Sequence, residues 1–103
     1  MLFKDKIINI MGKAIDITEN SDADVFVEYS AHCNLFEVRI FTSGWRSSID
    51  PDAVYRLYLD SPANGFSTYE DVDTKLDDIL GKLNTISQSV GVLQWQYWII
   101  SRG

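Results

Sequence analysis

The sequence predicts an α+β fold: a helix, a three-stranded antiparallel sheet and a second helix, followed by an aromatic C-terminal segment that is either strand or helix. Three observations predict it. Apolar residues recur every three or four positions near the N-terminus, the period changes to two from Asp24 to about Asp60, and a helical period returns from Ser67 to about Ser87. Each element has one apolar side that must be covered, so the two helices are expected together on one sheet face.

The first helix is expected over residues 2–17. Phe3, Ile7, Ile10, Ala14 and Ile17 form its apolar side, with Lys4, Lys6 and Lys13 elsewhere on the wheel. Gly12 weakens its interior, and β-branched Ile15, Ile17 and Thr18 weaken its end. The polar run "TENSDAD" is then a loop. In "DVFVEY" Val25, Val27 and Tyr29 alternate with Phe26, Glu28 and Ser30, and in "LFEVRIF" Phe36, Val38 and Ile40 alternate with Leu35, Glu37, Arg39 and Phe41. The five residues "SAHCN" between them read as a hairpin loop, with Asn34 suited to a left-handed conformation. Glu28 is expected opposite Arg39. After "TSGWRSSIDPD", "AVYRLYLD" reads as a third strand with Tyr55, Leu57 and Leu59 on one side.

The second helix has the clearest start. Ser67 stands three residues before Glu70, a capping-box spacing, and Glu70, Asp71 and Asp73 put negative charge where the helix dipole favours it. Val72, Leu76, Ile79, Leu80, Leu83 and Ile86 make a continuous stripe. In the tail "VGVLQWQYWIISRG", alternation over Leu93, Trp95, Tyr97 and Ile99 favours a strand over a helix by a small margin, although Trp98 and Ile100 spoil a clean polar face.

At 103 residues, 46% hydrophobic and 23% charged, the chain fits one domain spanning 1–103, with a single core and no linker. Its apolar runs are too short to cross a bilayer, the N-terminus is charged throughout, and a single cysteine suits a reducing compartment. A cytoplasmic protein is expected. The net charge of −6 is uneven: between Asp60 and Asp78 six carboxylates face one Lys75, leaving −5 there. Direct binding to nucleic acid or an anionic membrane calls for clustered Lys and Arg, so an expected partner is instead a basic protein.

No cluster has obvious chemistry. His32 and Cys33 are neighbours whose side chains diverge in an extended chain, and neither a metal site nor a Cys-His nucleophile has its further ligands or orienting group. Asp73 and Asp77 share a helix face, but paired-carboxylate catalysis needs a cleft between them. No Gly-rich phosphate loop is present. The chain is accordingly expected to be no enzyme and to use no cofactor or metal. Two features fit contact with a partner instead. Glu70, Asp71, Asp73, Asp77 and Asp78 can line an acidic helix face, and Trp45, Trp95 and Trp98 are residue types that anchor interfaces.

The hairpin "VFVEYSAHCNLFEVRIFTSGW", with the Tyr-rich third strand and acidic helix after it, resembles small uncharacterised proteins encoded by phages and prophages of Gram-positive bacteria. The resemblance covers residues 24–83 in outline. It implies an interaction protein, such as an acidic inhibitor of a host nucleic-acid-handling protein working in the host cytoplasm. The alternative is a structural or accessory protein that self-associates, as a homodimer, through its aromatic tail.

Overall fold

A computed structural model describes the backbone of residues 3–102 and the side chains of residues 3–87. The element order is α1 (Lys4–Asn20), β1 (Asp24–Ser30), β2 (Leu35–Phe41), β3 (Ala53–Tyr58) and α2 (Tyr69–Arg102). The sheet is an antiparallel meander in the order β1-β2-β3, which leaves β1 and β3 as its edges. Both helices contribute to one core on one face of this sheet. The predicted α+β architecture is therefore the observed one.

The core follows the periodicities. Ile10, Ala14 and Ile17 of α1, Phe36, Val38 and Ile40 of β2, Leu57 of β3 and Val72, Leu76, Ile79 and Leu83 of α2 are all buried, with Val25, Val27 and Tyr55 half-buried beside them. The outer sheet face is polar at its centre. Glu37 accepts from Arg39 Nε at 3.2 Å and from Arg56 Nε at 2.9 Å, and Arg39 also lies over the Phe26 ring at 5.2 Å. Phe26 packs edge-on against Phe41, which accounts for burial of Phe41 on the side away from the helices.

Several local expectations need correction. α1 begins later and runs to Asn20, where Asn20 Nδ2 and Ser21 Oγ donate to the carbonyls of Asp16 and Ile17 and so satisfy its last turn. Ser30 pairs with Leu35, so the hairpin loop has only Ala31 to Asn34, and Asn34 does adopt positive φ (52°). That register sets Glu28 opposite Glu37 and Arg39 opposite Phe26, so the expected Glu28–Arg39 pair does not form. β3 ends at Tyr58, although Leu59 remains buried and its amide donates to the Asn34 carbonyl at 2.9 Å.

The capping box lies one residue later than expected. Asp71 N–H donates to Thr68 Oγ1 at 3.0 Å and Thr68 N–H to Asp71 Oδ2 at 3.1 Å, while Ser67 is hydrogen-bonded to Ser61 instead. α2 does not stop near Ser87. It continues to Arg102, so the tail is helix and not the favoured strand. Once a capped helix is nucleated, each added residue gains a hydrogen bond, and no proline intervenes between Tyr69 and Arg102.

Candidate interaction surface

The sequence-predicted site residues divide into three groups. Asp73 and Asp77 are one turn apart on α2 and both accept from Lys6 Nζ of α1, at 2.7 and 2.8 Å. The Lys6 ammonium is held above the ordinary lysine pKa by these hydrogen bonds, first that of Asp73 and then that of Asp77. Asp71 is the reciprocal partner in the capping box, and the Thr68 amide and hydroxyl pull its carboxyl below the ordinary range. Three of the five carboxylates thus join helix to helix or hold a helix end. Glu70 and Asp78 are exposed and make no ion pair among the described residues.

Trp45 stands exposed in the loop after β2, where its backbone N–H donates to Asp24 Oδ2 at 2.7 Å. Gly44 before it has φ +90°, and a Cβ there would lie 3.0 Å from the Asp22 carbonyl oxygen. The loop is therefore folded back on the start of β1. The side chains of Trp95 and Trp98 lie outside the described residues.

His32 is exposed at the hairpin tip, and Cys33 is half-buried with Sγ 3.8 Å from the Ser30 carbonyl oxygen. Cys33 lines a shallow cleft of about 430 Å³ with Tyr58, Asp60, Ser61, Asn64 and Phe66; His32 is not part of its wall. Among the described residues, no three His, Cys, Asp or Glu side chains are grouped to hold a metal, and no helix is long and apolar enough to cross a membrane.

A different surface carries more contact potential, and it includes residues that sequence reasoning missed. α1 has a second apolar stripe beside its buried one: Ile8, Met11 and Ile15, at 57, 40 and 49% exposure, follow a helical spacing of three and four. Next to this stripe lies an open groove of about 420 Å³, lined by Met11, Ala14 and Ile15 from α1 and by Val25, Phe26 and Val27 from β1. Phe26 is itself 37% exposed. β1 forms the edge of the sheet here. Val25 N–H donates to Thr18 Oγ1 at 3.0 Å, which satisfies the first outward-facing amide of that edge from the helix side. The signal in the sequence is the series 8, 11, 15, offset on the wheel from the buried series 3, 7, 10, 14, 17.

No protein-family model, curated protein or solved structure matches the chain.

Proposed function

We propose that the chain is a non-enzymatic protein-interaction domain that meets its partner through the apolar α1–β1 surface. One observation supports this reading above the others: Ile8, Met11 and Ile15 stand exposed in a row beside an unpaired strand edge and a groove. Single apolar side chains on a surface need no explanation, whereas a contiguous row next to an open edge is a liability unless something covers it. Acting by contact also agrees with the small acidic phage proteins that the chain resembles, as an inhibitor or accessory component inside the host cell. The test uses Ile8→Ser/Ile15→Ser, with its fold checked by circular dichroism. The natural chain, immobilised, should retain specific proteins from a Gram-positive bacterial extract supplemented with free chain, and the variant should lose them. Equal retention by both overturns the reading.

A second reading rests on the carboxylates that stay exposed on α2, which would face a basic, nucleic-acid-handling host protein. Glu70→Lys/Asp78→Lys leaves the Lys6 bridges intact and should weaken such a complex about tenfold at low salt. Unchanged affinity removes the acidic face from consideration.

A further inference from the structure

Resting on the α1–β1 reading, we propose that the occupant of this surface is a second copy of the chain, with β1 paired antiparallel to the partner's β1 and α1 packed antiparallel to the partner's α1. A twofold axis perpendicular to the sheet does both at once: it joins two edges into one continuous sheet and leaves both first helices on the same face. Each element is complementary to itself in its own right.

For the strand, the amide of Val25 points away from β2, toward Thr18. Strand geometry then turns the amides and carbonyls of Val27 and Tyr29 outward as well. Pairing centred on Val27 sets Val27 against Val27, Val25 against Tyr29 and Asp24 against Ser30, and the Val25 N–H passes from Thr18 Oγ1 to the partner's Tyr29 carbonyl. Centring one residue earlier opposes Asp24 to Glu28, and one residue later opposes Glu28 to Glu28, both like-charge contacts. Of these three registers only the one centred on Val27 avoids them. It also puts the apolar residues of both strands on the helix side, in line with the groove.

For the helix, Lys4, Ile8, Met11, Ile15 and Glu19 fall on one stripe, all exposed. Antiparallel packing sets Ile8 against Ile15 of the partner copy, brings the two Met11 side chains together at the axis, and places Lys4 facing Glu19 at both ends. Neither Lys4 nor Glu19 has an ion-pair partner among the described residues. An apolar centre with an opposite-charge pair at each rim is the composition of a specific interface.

The experiment is light scattering of the full chain over a concentration series, with charge-swap and cross-linking variants. The natural chain should be a dimer, and Ile15→Glu should raise the dissociation constant at least about tenfold while circular dichroism stays unchanged. Lys4→Glu should weaken the dimer several-fold, and Lys4→Glu/Glu19→Lys should restore it. Met11→Cys in a Cys33→Ser background should form a disulfide-linked dimer on mild oxidation. A monomer at all concentrations overturns the proposal, and so does a dimer indifferent to Ile15→Glu, whose interface would lie elsewhere, as in the C-terminal part of α2. A monomer that still loses its captured proteins on Ile8→Ser/Ile15→Ser overturns the second copy as occupant but leaves the interaction reading standing.

Discussion

α1 and α2 cover the same face of the sheet, but they are specified by different means. α2 opens with a reciprocal capping box between Thr68 and Asp71, has Glu70 and Asp71 in its first turn, and buries one stripe from Val72 to Leu83. α1 has no side-chain cap at its N-terminus, carries Gly12 in its interior and crowds β-branched residues toward its end. Local signals alone would leave α1 marginal. It is held by tertiary contacts: the fully buried Ile10 and Ile17, and the double bridge from Lys6 to Asp73 and Asp77. The helix least specified by its own sequence also has, among the described residues, apolar side chains to spare. A helix fixed by packing on one side can present a second contact surface on another without losing its place.

The comparison is broken most severely at the buried stripe. Ile10→Ala removes a side chain with no solvent exposure and should cost about 2–5 kcal/mol in urea-monitored unfolding. At the start of α2, Thr68→Ala should cost about 1 kcal/mol by loss of the cap. If Ile10→Ala costs no more than Thr68→Ala, α1 is not held by packing as described.

The pH dependence sharpens the contrast further. The Asp71 carboxyl is lowered by the Thr68 amide and hydroxyl, and that of Asp52 by the Thr42 amide and hydroxyl. Both contribute stability fully above the ordinary aspartate pKa and lose it as pH falls through their lowered values. Lys6 has the opposite sign, since its raised pKa gives stability that is complete below the ordinary lysine value and disappears as pH rises through the raised one. Asp52→Asn/Asp71→Asn should therefore flatten the acid limb of a stability profile, and Lys6→Met the alkaline limb. Swapped outcomes would contradict the assignment of the bridge to α1 and the cap to α2.

The smallest effect belongs to the exposed stripe. Ile15→Ser, measured at concentrations low enough to keep the chain monomeric, should change stability by no more than about 0.5 kcal/mol. A larger loss would mean that Ile15 supports the fold of the single chain.

What could be read from the sequence follows the same division. The strands and the buried helical stripes were legible because burial imposes a period on each, and Phe36, Val38 and Ile40 keep theirs without a break. The capping box is ambiguous by one residue because Ser67/Glu70 and Thr68/Asp71 have the same spacing; Ser61 decides it by taking Ser67 as its own partner. The Glu28–Arg39 pairing fails because the Ser30–Leu35 closing pair fixes the register and sets Glu28 against Glu37, two positions short of Arg39. Lys6 meets Asp73 and Asp77 across most of the chain, a contact that no local pattern encodes. The stripe at Ile8, Met11 and Ile15 was visible in principle, but a period of 3.6 fits two offset series equally well, and only the packing tells which one is covered.

The contact between α1 and α2 also sets an order of events during synthesis. The buried side of α1 leaves the ribosome first, while Val72, Leu76, Ile79 and Leu83, which share its core, follow roughly sixty residues later, an interval of several seconds at ordinary elongation rates. Until then the nascent chain holds Ile10 and Ile17 with nothing but an unfinished sheet to cover them. Lys6 of α1 likewise waits for the opening turns of α2 before it meets its two carboxylates.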